Sequence, residues 1–158
     1  MCATGKFIVR EAINADCAAI WALISGVLKE YAFAPDRTTT DFDLSDIEAN
    51  YTKGGGVFFV LLDVDRIIGT VALCRESETR CELCRMYLAS HYRRRGLGRL
   101  LFDKATGEAL HRGFREMRLE TAAVLVEAIA LYKSAGFTIV EGTPAGKNCN
   151  LIMSKCLV

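Results

Sequence analysis

Arg93-Arg94-Arg95-Gly96-Leu97-Gly98-Arg99-Leu100-Leu101 follows an apolar, strand-like run and leads directly into a helix-like one. Glycines at 96 and 98 let the backbone turn tightly and come close to a ligand, while the free N–H groups of a first helical turn point outward at an anion. The helix dipole and the four surrounding arginines put positive potential at the same spot. The stretch therefore reads as a phosphate cradle between a strand and a helix; the alternative is a plain turn with solvated arginines. Two nucleotide patterns of similar logic are absent: there is no G-x-x-x-x-G-K-[ST], and no third glycine with a later ribose-binding acid.

The flanking chain alternates between strand and helix signals. Lys6 to Arg10 reads as a short strand, and Asn14 offers a cap to a helix over Ala15 to Tyr31, where Cys17, Ile20, Trp21, Ile24, Val27 and Leu28 recur at spacings of three and four. Ala34 to Asp43 is polar and turn-rich, and Asp43 or Ser45 can cap a second, short helix running toward Tyr51. After Lys53-Gly54-Gly55-Gly56, three apolar runs (Val57–Leu62, Ile67–Cys74 and Cys81–Leu88), separated by turns, predict an antiparallel meander. Leu97, Leu101, Ala105 and Ala109 form a helical stripe ended by Gly113. Met117 to Thr121 is a strand; Leu125, Ala128, Ile129 and Tyr132 share a face of the next helix, which Gly136 ends. Phe137–Val140 and Cys149–Leu157 are closing strands around the turn-rich Glu141–Lys147. The order β-α-α-β-β-β-α-β-α-β-β describes an α/β fold with a mixed central β-sheet flanked by helices on both faces.

The 158 residues are most economically one domain, 1–158, long enough to bury a core without disulfides or metals. A net charge of +1 implies neither nucleic-acid nor membrane-surface binding. No signal peptide or bilayer-length apolar run is evident, so a cytoplasmic location is the default expectation. The odd count of seven cysteines points to free thiols. Cys81-x-x-Cys84 has metal-like spacing, but inside a strand an odd offset sends the two sulfurs to opposite faces, so no metal is expected. Cys17, Cys74, Cys149 and Cys156 read as buried thiols and Cys2 as the most exposed.

Glu82-Leu83-Cys84-Arg85-Met86-Tyr87-Leu88, then Arg93-x-x-Gly96-x-Gly98, then Leu131-Tyr132-Lys133-Ser134-Ala135-Gly136-Phe137 resemble the GCN5-related N-acetyltransferase (GNAT) superfamily, most tightly from Cys81 to Phe137. The resemblance implies the acyl-CoA N-acyltransferase fold, with a splay between the strand ending near Leu88 and the one beginning near Met117, and acetyl-CoA as co-substrate. It assigns cofactor binding to Met86, Tyr87 and Leu88 at the strand end, with the N–H groups of Met86 and Leu88 meeting the thioester and pantetheine where the strand bulges. It assigns the pyrophosphate to Arg93, Arg94, Arg95, Gly96, Leu97, Gly98 and Arg99. One departure stands out: Leu125 occupies the place where many relatives carry an asparagine that bonds the pantetheine.

Direct acyl transfer to an amine needs a neutral nucleophile, donors for the carbonyl oxygen and a proton for the departing thiolate. By resemblance, Tyr132 faces the CoA sulfur and is the candidate general acid; a core tyrosine is the alternative. Glu82 is the candidate base, or else a salt-bridged structural residue, and strand alternation puts it on the face of Cys84 and Met86, partly desolvated. Glu120 is a second candidate; His91 and His111 suit solvated roles. Acceptor choice is expected from Tyr31–Tyr51 and the loop Glu141–Asn148. There Tyr31, Phe33, Phe42 and Tyr51 interleave with Asp36, Asp41, Asp43, Asp46 and Glu48, either to receive a cationic amine or simply as a solvated acidic face. The leading function is acetyl transfer to a small-molecule primary amine. Transfer to a protein lysine or N-terminus, and a non-catalytic acyl-CoA-binding module, are the alternatives; homodimerisation is left open.

Overall fold

The computed structural model describes residues 7–157. Its elements are β1 (Phe7–Glu11), α1 (Cys17–Glu30), β2 (Val57–Asp63), β3 (Arg66–Arg75), β4 (Arg80–Leu88), α2 (Leu97–His111), β5 (Glu116–Thr121), α3 (Val126–Ser134), β6 (Thr138–Val140) and β7 (Leu151–Cys156). They form one seven-stranded sheet in the order β1-β2-β3-β4-β5-β7-β6. β1 to β4 are antiparallel neighbours, β4 and β5 are parallel, and β7 returns antiparallel between β5 and β6. This is the mixed sheet with helices on both faces that the sequence predicts.

Alternation along β2 divides the core. Val57, Phe59 and Leu61 turn toward α2, where Leu97, Leu101, Phe102, Ala105 and Ala109 meet Leu83, Met117 and Leu119. Phe58 and Val60 turn the other way, toward Ile20, Ile24 and Leu28 of α1 and toward Leu44, Ile47 and Tyr51. Each fully buried Leu, Ile or Phe contributes roughly 1.5–3 kcal/mol by leaving water. Just past the end of α2, Gly113 has a φ of 84°, which allows Phe114 N–H to reach Ala109 O at 3.0 Å and close the helix.

Several local expectations need correction. Asn14 does not cap α1. Its side chain reaches sideways instead, accepting from Glu48 N–H (3.1 Å) and donating to Asp46 Oδ1 (3.0 Å), while Asp16 closes the entry turn on Ile13 N–H at 2.9 Å. The second helix is not one helix: it splits into a 3₁₀ turn, Phe42–Ser45, and a π-helical turn, Glu48–Thr52. Asp46 between them takes Ala49 N–H on its carboxylate and so starts a new turn. Cys81 is buried against α2 and Cys84 packs on the opposite face, as the odd spacing predicts. Cys156 is exposed, because it sits at the last residue of β7, opposite Glu116 at the start of β5. Lys6 and Cys2 lie outside the described residues. Among the described residues, no helix is long and apolar enough to cross a membrane.

Candidate functional site

β4 and β5 pair only from Arg80–Glu116 to Leu83–Leu119. Beyond Leu83, β4 continues to Leu88 with β3 alone as partner, and a cavity of about 430 Å³ opens in the gap. Ala89 N–H donates to Ile68 O of β3 at 2.8 Å. Period-two alternation therefore turns the N–H groups of Leu88 and Met86 away from β3, into the gap. A carbonyl placed there meets donors that no neighbouring strand consumes.

β4 also carries a bulge. Ala72 pairs with Cys84 and Thr70 with Tyr87, so Arg85 and Met86 together face Val71. Arg85 is the extra residue; its φ is 52°, and Thr70 Oγ1 holds its carbonyl at 2.7 Å. The bulge overturns the expected alternation. Glu82 and Met86 do not share a face: Met86 and Leu88 pack on the α2 side, whereas Cys84 and Tyr87 pack on the α1 side. Tyr87, grouped with Met86 and Leu88 by resemblance, thus sends its ring the opposite way.

At the end of the gap stands the turn into α2. Gly96 has φ 79° and Arg94 φ 64°, and the amide N–H groups of residues 94–99 find no acceptor among the described residues. A Cβ on Gly98 would come no closer than 3.9 Å to Met86 Cε, so the fold itself does not demand glycine there. Gly98 lines the cavity, and its missing side chain leaves room beside the free amides. Those two facts fit a pyrophosphate, and they shift the cradle from side chains to backbone. Arg93 is already engaged: its Nε donates to Leu88 O at 3.0 Å and its Nη1 to Glu30 at 2.8 Å. Arg95 stacks over Phe7 and Tyr92, Arg99 pairs with Asp103, and Arg94, exposed at the cavity's edge, contacts Glu127 at 3.4 Å.

Tyr132 lies at the inner end of α3 among Phe102 and Phe137, with its hydroxyl 3.7 Å from Met86 Sδ. Burial is the main force raising its pKa, so it keeps its proton throughout the neutral range. Glu82 borders the same cavity on the other side of the sheet. Its pKa is raised to about 7, chiefly by burial and then by Glu76 and Glu120, against the pull of Arg118 at 3.7 Å. Glu120, the second candidate base, is otherwise occupied. Burial would raise its pKa, but the N–H groups of Ala145 (2.7 Å) and Gly146 (3.0 Å) together with Arg118 outweigh that and lower it. It anchors the β6–β7 loop. Leu125 sits just ahead of α3 and presents an apolar side chain to the cavity, so it offers no hydrogen bond to an amide. His91 and His111 are exposed and away from it.

The acidic residues between Tyr31 and Tyr51 are consumed locally rather than held ready for a cationic amine. Asp36 accepts from Thr38 and Thr39, Asp46 from Asn14 and Ala49, and Glu48 from Asn14 N–H. Asp41 and Asp43 both bind Arg85. Of these acids only Asp41 lines the cavity, beside Tyr31 and Phe33. Sequence reasoning passed over Arg85, since nothing local links it to carboxylates 42 and 44 positions away. Desolvation disfavours its charge, yet the bonds from Asp43 and the surrounding negative charge win, and its pKa is raised.

Comparison with known proteins agrees with this geometry. A family model described as the acetyltransferase (GNAT) family matches residues 20–137. An uncharacterized N-acetyltransferase of Escherichia coli, YjgM, is 32% identical over 139 residues, which span 85% of this chain and 83% of the relative. The N-acetylaspartate synthetase of Danio rerio is 36% identical over 103 residues; these cover 64% of this chain but only 36% of the larger protein. Among solved structures, a GNAT-family acetyltransferase of Staphylococcus aureus superposes with a TM-score of 0.89 at 22% identity, covering 96% of this chain and 99% of the other. The yncA protein of Salmonella typhimurium, solved with its cofactor acetyl-CoA, gives a TM-score of 0.76 at 27% identity over 97% of this chain and 95% of its own.

Proposed function

Because the chain belongs to the GNAT acetyltransferase family, we propose that it transfers acetyl from acetyl-CoA directly to the primary amine of a small molecule. The observation that carries the small-molecule reading is the size and lining of the cavity. Tyr31, Phe33, Thr40, Asp41 and Gly146 to Cys149 line the same space as Met86 and Tyr132, about 430 Å³ in all, so acceptor and acyl arm share a volume suited to compact groups. A lysine on a protein surface would have to reach into that space.

In this reading acetyl-CoA supplies an activated thioester. The amides of residues 94–99 and the space beside Gly98 hold its pyrophosphate, and the N–H groups of Met86 and Leu88 polarise the acyl carbonyl as negative charge develops. Glu82, poised near neutrality, takes the proton of the attacking amine directly or through water. The Tyr132 hydroxyl, still protonated at working pH, gives its proton to the departing sulfur. No residue becomes acylated, so both substrates must be bound together. A cytoplasmic setting belongs to the same reading, supported by the free thiols among the described residues.

The test is a thiol-release assay across a panel of small amines and lysine peptides, with calorimetric titration of CoA alongside. Turnover with small amines and not with peptides is expected. Peptide turnover alone would move the acceptor to protein, and tight CoA binding without any turnover would make the chain a binding module.

A further inference from the structure

We infer that Arg85 is a positioning residue for the acceptor amine, fastening the wall formed by residues 36–43 to the bulge of β4. The inference rests on the acetyl-transfer reading above and assigns the acceptor side a device of its own.

The wall segment is closed on itself. Asp41 N–H donates to Asp36 O at 2.8 Å, and Asp36 N–H returns a bond to Asp41 Oδ2 at 2.8 Å, so the turn holds its shape without the sheet. Among the described residues its direct side-chain hydrogen bonds to the sheet run through one guanidinium, while the Tyr51 hydroxyl also reaches Asp43. Arg85 Nη1 meets Asp41 Oδ1 at 2.8 Å, Nε meets Asp43 Oδ2 at 3.0 Å, and Nη2 reaches Asp43 Oδ1 at 2.5 Å and Thr40 O at 3.1 Å. Among the described residues, no other side-chain hydrogen bond connects residues 36–43 to a strand. Asp41 therefore works with both oxygens: one closes the turn, the other docks it. Its side chain is 3% exposed and that of Arg85 14%, which makes the pair a dry, geometrically demanding contact.

The position of Arg85 gives the clamp its meaning for the reaction. It is the extra residue of the bulge, directly before Met86, whose N–H faces the gap where the acyl carbonyl would lie. Thr40 and Asp41, which the guanidinium grips, line the cavity on the acceptor side. One residue thus sets the distance between the acceptor wall and the acyl-polarising strand. Lysine could not reproduce this: it offers a point charge where the site uses a planar fork with two carboxylates and a carbonyl.

The experiment uses the full chain, with phenethylamine and spermidine as amine probes. It compares Asp43→Asn, Arg85→Lys, and the double variant Arg85→Met with Asp41→Asn, which removes the most buried carboxylate together with the guanidinium and leaves Asp43, 28% exposed, on the Tyr51 hydroxyl. Expected are an amine KM raised at least fivefold, with Arg85→Lys between wild type and the double variant, a CoA Kd within twofold of wild type, and faster amide exchange in residues 36–43 than in β2 or β3. An unchanged amine KM, or a CoA Kd that weakens in step with it, would overturn the assignment. Should wild type bind CoA but acetylate neither amine, the functional reading is what fails for those amines. The clamp is then judged by exchange alone, and unaltered protection of residues 36–43 in the variants refutes it.

Discussion

Glu82 shows how one side chain can be tuned by what surrounds it. Burial first, then Glu76 and Glu120, raise its pKa to about 7, while Arg118 pulls the other way. Because the folded value lies above the ordinary 4.5, the native chain holds an extra proton between those two pH values, and stability falls as pH rises through that window. Glu82→Gln should therefore melt higher than wild type above pH 7, with the difference shrinking toward pH 4.5; Tm measured against pH checks this. In the proposed role of Glu82 as base, the same titration would govern rate. Wild-type kcat/KM should climb to a plateau as pH passes about 7, and the variant should lose that limb; a limb that survives would hand the base role to another group. Tyr132 is shifted in the same direction, upward by burial, which keeps it protonated. Tyr132→Phe preserves its packing on Phe102 and Phe137 and removes one proton donor. It should lower kcat by about one to three decades and leave acetyl-CoA affinity unchanged. Full turnover in that variant would return Tyr132 to the core.

At the scale of elements, the turn into α2 and the bulge of β4 divide the work. A Cβ on Gly98 would meet no atom nearer than Met86 Cε at 3.9 Å. Gly98→Leu should then fold with a Tm close to wild type but lose the thermal shift that CoA confers, since its side chain projects where the pyrophosphate would rest. A coincident fall in Tm without ligand would mean the glycine serves packing instead. These two elements differed in how far they could be read beforehand. The stripe Leu97, Leu101, Ala105, Ala109 and its stop at Gly113 follow from periodicity and local stereochemistry, and both are present. The bulge followed from the family resemblance and not from residue patterning, because a non-glycine residue adopts its positive φ, and what stabilises Arg85 there comes from Thr70, Asp41 and Asp43, all remote in sequence. The same non-locality explains why Asn14, a good local cap, bonds to residues 46 and 48 instead, and why a single helix was expected where Asp46 breaks the segment in two. Free amides at 94–99 were legible from the glycines; the capture of Arg93 by Leu88 O and Glu30 was not.

For the molecule as a whole, the consequence lies in how the two parts of the sheet are joined. β1 to β4 form one continuous antiparallel unit, β5, β7 and β6 another, and the parallel ladder between them covers four register pairs before the strands part. A ligand seated in the gap would touch both: Met86, Leu88, Gly98 and Leu101 on one side, Ala122, Leu125, Ala128 and Tyr132 on the other. Binding there stabilises the native state by mass action, about 2.7 kcal/mol when ligand is present at a hundred times its Kd. For a chain of 158 residues that corresponds to a rise in Tm of roughly 5–10 °C. The rise should be concentration-dependent, and amide exchange should slow on both sides of the gap together, in the C-terminal half of β4 and in α3, because one molecule spans them. Protection confined to the turn at residues 94–99 would place the nucleotide end alone on the protein and leave the acyl arm outside. No rise in Tm at millimolar CoA would contradict the site itself.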